Sequence, residues 1–167
     1  GCNSNIDESS EINLKFLALD SEVTGVTFTN ELKSKNDLNI IKYLYYYNGG
    51  GVAIGDINND GLDDIFFSGN EVRDELYLNQ GDMVFKNISE SSGIASQNYW
   101  STGASMADVN NDGYVDIYVS TVSDYKNLTG HNRLYINNLL NHQKKLDSTS
   151  KVLELMQVFL IMIMMVI

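Results

Sequence analysis

The chain has 167 residues, 43% of them hydrophobic, which is enough for one globular domain with a core of useful size. Its 22 acidic and 11 basic residues give a formal net charge of −11. This charge disfavours nucleic acid and anionic membrane surfaces as partners, since both reward clustered Lys and Arg. A single cysteine excludes a disulfide framework and a cysteine-based zinc site. Ten tyrosines favour strands and the many asparagines favour turns, so the composition indicates β structure with tight loops.

The one cysteine is Cys2, which follows a glycine and precedes a polar stretch. This start resembles the end of a bacterial lipoprotein signal, in which the cysteine becomes the lipidated N-terminus. Two or more acyl chains on one residue would hold a protein stably at a membrane. We therefore expect residues 1–20 to be a lipoprotein tether, with the chain attached through Cys2 to the outer membrane or cell surface. The alternative is a chance cysteine near a trimmed end.

The sequence contains an internal repeat. Residues 49–68 align with residues 101–120 without a gap at an offset of 52, with nine identities. Further along, the sequence Leu-Tyr-Leu-Asn at 76–79 recurs as Leu-Tyr-Ile-Asn at 134–137. A repeat of about fifty residues made of short strands has the size of a β-propeller blade.

Alternating and apolar runs predict four strands in the first copy and three in the second. The predicted strands are 51–55, 64–68, 75–79, 83–87, 103–107, 116–120 and 133–137. The fold class is therefore all-β, with two four-stranded propeller-type blades in an incomplete β-propeller. The domain boundaries are a lead-in at 21–48 with a ring-closing strand at 26–30, a first blade at 49–100 and an incomplete second blade at 101–138.

Seven of the fourteen aspartates lie in two nine-residue windows, 56–64 and 108–116. Each window has side-chain oxygens at positions 1, 3, 5 and 9, a glycine at position 6 and a backbone carbonyl available at position 7. Calcium takes six to eight hard oxygen ligands, so this spacing favours a calcium loop. The windows are not EF-hands, because position 12 is Phe67 or Val119 where an EF-hand needs glutamate. The alternative is an Asx-turn that satisfies local amides.

The unit of a strand, D-x-N-x-D-G-x-x-D and a second strand resembles the FG-GAP/VCBS repeat of integrin-α-like β-propellers. Together with the Tyr-Asn-Gly-Gly-Gly entry and the lipoprotein start, it is similar to surface lipoproteins of the Bacteroidota type. The resemblance implies calcium as the cofactor. The implied ligands are Asp56, Asn58, Asp60, Leu62 (through its carbonyl), Asp64, Asp108, Asn110, Asp112, Tyr114 (through its carbonyl) and Asp116.

The function that this resemblance implies is a calcium-binding, lipid-anchored module at the cell surface that binds a polysaccharide or a surface protein. No catalytic residues stand out from the sequence. The alternatives are a fragment of a propeller hydrolase or lyase whose catalytic blades are missing, and a non-functional pseudogene product. An aromatic group could form a sugar-stacking platform, although we favour core packing for it. Its members are Tyr43, Tyr45, Tyr46, Tyr47 and Trp100.

The C-terminal part, 139–167, does not continue the repeat. Its apolar run at 158–167 is far shorter than the roughly 20 residues that a membrane-spanning helix needs. When the codons are read one base earlier, the genetic code makes Asp-x-Asp-Gly obligatory here, one repeat length after Asp108. We interpret this segment as an out-of-frame tail, helical in character, that truncates a longer propeller. A buried strand or a partner-binding tail is the alternative.

Overall fold

Each of the two sequence repeats forms its own antiparallel sheet. The computed structural model describes residues 16–94, 99–123, 125, 128 and 130–138. The first sheet has the strand order β1-β2-β3-β4 and the second has β5-β6-β7. The strands are β1 Val52–Gly55, β2 Asp64–Phe67, β3 Glu75–Asn79, β4 Phe85–Asn87, β5 Ser101–Ala107, β6 Asp116–Thr121 and β7 Arg133–Tyr135.

The all-β prediction is confirmed, and each of the seven strands predicted within the two repeats has a counterpart within about two residues. In the described part of the chain there is no closed barrel, as expected for an incomplete propeller. One helical turn, α1, at Ser21–Thr24, is the only helix among the described residues, and it is too short to cross a membrane. The second sheet has the three strands that the sequence predicts for the incomplete second blade. The expected lipidation at Cys2 and the tail at 139–167 lie outside the described residues.

The core lies between the two sheets. Ala53, Phe66 and Leu76 are aligned across β1, β2 and β3, so their side chains share one face of the first sheet. They pack against Ile117 and Val119 of β6, and all five residues are at most 7% exposed. The two blades therefore share one continuous apolar core.

The inner strands of the two blades approach each other closely. An added Cβ on Gly51 would lie 2.6 Å from the backbone nitrogen of Ala104 in β5. No side chain fits at that distance, so glycine is required where β1 meets β5.

The opposite face of the first blade is only partly covered. Residues 26–30 form no strand, contrary to the expected ring-closing strand, although Phe28 stacks on Phe67 with ring centroids 4.9 Å apart. On the inner half of this face, Val52 and Ile54 are 56% and 61% exposed. The ring-closing role of this segment stays a prediction.

A buried ion pair joins the blades at one end. Nη2 of Arg133 in β7 lies 2.7 Å from Oδ2 of Asp74, and both side chains are at most 6% exposed. The same guanidinium donates to the hydroxyl of Ser101 at 2.6 Å, and the other Asp74 oxygen accepts from the amide of Gly69. The ion pair thus connects the segment before β3 with the second sheet.

The difference in packing between the two faces of the blades can be tested by replacing isoleucine with valine once in the core and once on the exposed face. Ile117→Val should lower the free energy of unfolding by about 0.5–1.5 kcal/mol, because it leaves a small cavity in the core. Ile54→Val should change it by less than about 0.5 kcal/mol, because Ile54 is exposed. Urea unfolding followed by circular dichroism measures both. Equal losses at the two positions would contradict this placement of the core.

The ion pair gives a second prediction. Arg133→Met should cost about 3–5 kcal/mol, because it leaves the Asp74 carboxylate buried without a counter-charge. The double variant Asp74→Leu/Arg133→Met should cost less than the single one, since no buried charge remains. The control is Lys35→Met, which removes an ion pair with Glu71 in which the lysine side chain is 59% exposed, and it should cost under about 1 kcal/mol. A double variant less stable than Arg133→Met in urea unfolding would refute the prediction.

Candidate functional site

Two acidic loops lie side by side at one end of the blades. The first runs from Asp56 to Asp63 between β1 and β2, and the second occupies the equivalent place, 108–115, between β5 and β6. Each loop ends at an aspartate that is the first residue of the following strand, Asp64 or Asp116. The repeat therefore places the two sets of predicted ligands in equivalent positions.

In the first loop, the acidic side chains accept hydrogen bonds from amides of the same loop. The two carboxylate oxygens of Asp56 accept from the amides of Asp60 at 3.1 Å and Gly61 at 2.8 Å. Asp60 in turn accepts from the amide of Leu62 at 2.9 Å, and the side chain of Asn58 donates to it at 2.8 Å. The loop is thus wound around its own side-chain oxygens, which is the geometry of consecutive Asx-turns.

The second loop reproduces this pattern closely. Asp108 accepts from the amides of Asp112 at 3.2 Å and Gly113 at 2.9 Å. Asp112 accepts from the amide of Tyr114 at 2.9 Å and from the side chain of Asn110 at 2.9 Å. The amide of Gly113 holds the pKa of Asp108 below its usual value. Two loops with the same bonds show that the winding is a property of the motif.

Backbone conformations with positive φ make this winding feasible. Asn59 and Asn111 have φ of 59° and 58°, and Gly61 and Gly113 have φ of 87° and 88°. Asparagine tolerates the left-handed region better than most residues, and glycine enters it without a steric cost. The glycine at position 6 therefore has the role that the sequence predicts for it.

The last aspartate of each loop is buried. Asp64 is fully buried, and its oxygens accept from the amides of Asn79 at 2.7 Å and Ile57 at 2.9 Å. Burial raises its pKa, the two amides lower it, and the carboxylates of Asp60 and Asp56 raise it further, so that the pKa stays above its usual value. The carboxylates of Asp56 and Asp60 therefore repel that of Asp64.

Asp116 has the same environment in the second blade. Its oxygens accept from the amides of Asn137 at 2.7 Å and Val109 at 3.0 Å. Its pKa is raised by burial, and the carboxylates of Asp112 and Asp108 add to that rise. Two loops thus carry the same accumulation of negative charge around a buried carboxylate.

The ten predicted ligands belong to these two loops, and the donor set consists of hard oxygens, as calcium requires. Each loop supplies side-chain oxygens, and those of its first and fifth positions accept bonds from loop amides. Among the described residues, no three His, Cys, Asp or Glu side chains are grouped so that they could hold a metal ion. For Leu62 and Tyr114, the described contacts are those of their amides. The calcium assignment stays a prediction.

Sequence reasoning missed the role of two asparagines. Asn79 and Asn137 end the recurring Leu-Tyr segment, and their amides bond the buried aspartates. The recurrence of this segment was the available signal, but its contact with the loops depends on strand pairing and could not be read locally. Asp63 is exposed, and its counterpart in the second loop is Val115.

The aromatic group divides into a buried and an exposed part. Tyr46 and Trp100 are at most 3% exposed, with ring centroids 5.4 Å apart, which confirms core packing for these two. Tyr45 and Tyr47 are 62% and 64% exposed, so core packing is wrong for them. They leave an aromatic surface beside the blade junction.

Residues 56–119 match the family model for the FG-GAP-like repeat. The segment includes both acidic loops, so the predicted resemblance to FG-GAP repeats is confirmed. Such a repeat indicates a propeller-type binding module and points away from catalysis. The similarity to Bacteroidota lipoproteins stays a prediction.

Curated vertebrate proteins also resemble part of the chain. Cartilage acidic protein 1 of Xenopus tropicalis is 35% identical over 91 residues, which is 54% of this chain and 13% of the relative. The human protein of the same name is 34% identical over 91 residues, with the same coverage. The chain thus matches only about an eighth of the length of these relatives.

The glycine at position 6 provides a test of the loop geometry. Gly113→Ala should destabilise the fold by about 1–2 kcal/mol, because alanine is strained in the left-handed region. An added Cβ would meet no atom within 4 Å, so the cost is conformational rather than steric. Gly103→Ala is the matched control, since its Cβ also meets nothing and its φ is not positive. Thermal unfolding should show a loss only for Gly113→Ala.

Proposed function

We propose that the two acidic loops bind calcium and that calcium stabilises the blades of a propeller-type binding module. The observation that carries this proposal is the repeated loop geometry, in which two aspartates accept bonds from loop amides and a third, buried aspartate begins the next strand. A divalent cation would neutralise charges that otherwise repel each other. Carboxylate, amide and carbonyl oxygens suit calcium and are poor ligands for softer metals.

The residues that would hold the cation are the ten predicted from the sequence. Asp56 would supply a half-buried carboxylate, Asp60 an exposed one and Asp64 a buried one. In the second loop, the corresponding carboxylates would come from Asp108, Asp112 and Asp116. Acidic loops of extracellular modules bind calcium with dissociation constants of about 10⁻⁴–10⁻³ M, so the cation is structural and not a cytosolic signal.

The module's ligand is a polysaccharide or a surface protein, and a rigid disc of blades presents loops to it. The exposed aromatic surface at Tyr45 and Tyr47 supports this role, because flat rings contact sugars and protein partners over a large area. Attachment through a lipidated Cys2 would place the module at the outer membrane or cell surface. This location rests on the N-terminal sequence alone.

Calcium binding has a direct thermodynamic test. At 10 mM calcium, a site with a dissociation constant of about 0.1–1 mM should add roughly 1.4–2.7 kcal/mol to the free energy of unfolding. Thermal unfolding of the full chain in calcium and in excess chelator measures this difference. Asp56→Asn/Asp108→Asn should reduce it sharply, because each loop loses one charged ligand.

The matched control is Asp63→Asn, which removes the same charge from the first loop at an exposed position that is not a predicted ligand. It should keep the calcium-dependent stabilisation of the unaltered chain. Equal unfolding temperatures with calcium and with chelator would refute the proposal. An equal loss of calcium-dependent stabilisation in Asp63→Asn would show that calcium acts by general charge screening.

A further inference from the structure

The two acidic loops touch each other through a side chain of the first loop. Nδ2 of Asn59 donates to the carbonyl of Gly113 at 3.0 Å. The amide of Gly113 donates to the carboxylate of Asp108 at 2.9 Å. One residue of the second loop therefore bonds both its own acidic side chain and the neighbouring loop.

A second connection lies deeper, at the buried aspartates. Nδ2 of Asn137 donates to the carbonyl of Ile57 at 2.5 Å, while its backbone amide donates to Asp116 at 2.7 Å. The amide of Ile57 donates to Asp64 at 2.9 Å. The two buried carboxylates are thus joined through the backbone of Ile57 in the first loop and one asparagine of the second blade.

This connection is specific to the junction of the two blades. Asn137 also donates to the carbonyl of Val115 in its own loop at 3.3 Å, as its counterpart Asn79 does to the carbonyl of Asp63 at 2.9 Å, so the bond to Ile57 is what distinguishes Asn137. Asn111 is the counterpart of Asn59 and shares its positive φ, but within the described residues its side chain makes no hydrogen bond to another loop. The repeat therefore offers a natural control for each connecting residue.

We propose that Asn59 and Asn137 are positioning residues that couple the two loops, so that a cation in one loop raises the affinity of the other. The inference rests on the proposed calcium binding. A cation fixes the peptide units of the loop that holds it. Because the two asparagines bond those same peptide units, the second loop is already partly ordered and binds its cation at a lower entropic cost.

Calorimetric titration of the full chain with calcium tests this coupling. In a chain that keeps both asparagines, Asp108→Asn/Asp112→Asn should weaken calcium binding at the intact first loop by roughly tenfold, within the range of typical couplings. In a chain that also carries Asn59→Ala/Asn137→Ala, the same change should leave the first loop unaffected. The control pair Asn79→Ala/Asn111→Ala should keep the tenfold dependence.

Amide hydrogen exchange in the absence of calcium gives an independent measurement. Asn59→Ala should speed exchange at the amide of Gly113, and Asn111→Ala should leave the amide of Gly61 unchanged. If both loops bind calcium but independently in the unaltered chain, the coupling is overturned while the proposed function stands. If neither loop binds calcium, both are overturned. Loss of the dependence in the control pair would also overturn the assignment to Asn59 and Asn137.

Discussion

The buried carboxylate of Asp64 connects three segments of the first blade. It lies at the start of β2 and accepts hydrogen bonds from an amide of the loop before that strand and from an amide at the end of β3. Asp116 does the same in the second blade. A buried charge is costly unless its oxygens are hydrogen-bonded, so each carboxylate constrains the segments around it to supply those bonds. The position of the acidic loops follows from this constraint.

The junction between the blades is apolar in the middle and polar at both ends. At the loop end, Asn59 and Asn137 bond the neighbouring loop. At the other end, the ion pair between Asp74 and Arg133 crosses the junction, and the side chain of Asn70 donates to the carbonyl of Ser101. Directional bonds at both ends hold the two sheets in one relative orientation, which apolar packing alone would fix less tightly. A surface made of loops from both blades can then keep a constant shape.

Sequence reasoning found the parts of the fold that depend on local pattern. Strand positions and the duplication follow from alternation and from the repeat itself, and the loops follow from their spacing. A bulge near Ser101 begins β5 two residues early, because irregular pairing is set by the partner strand. Residues 26–30 alternate like a strand but pack through Phe28 without pairing. The Asp74 to Arg133 ion pair joins residues far apart in the chain, and no local pattern announces it.

The donor oxygens of the acidic loops were identified from sequence, but their orientation was not. The sequence shows which atoms a loop can offer to a cation. It does not show that Asp56 and Asp60 already accept bonds from the loop's own amides. The two interpretations weighed at the start, a cation loop and an Asx-turn, use the same residues, because a loop wound by Asx-turns also brings oxygens to its inner side.

The two repeats differ mainly where they face different neighbours. Their acidic loops are identical at every position whose side chain bonds within the loop, whereas the strand faces have diverged. Val52 and Ile54 are exposed on the first blade. Their counterparts in the second blade, Ala104 and Met106, pack against the shared core. The loops are therefore interchangeable parts, and the strand faces are not. The strand faces of such a blade determine its position among the other blades, while its loops could be exchanged with those of another blade.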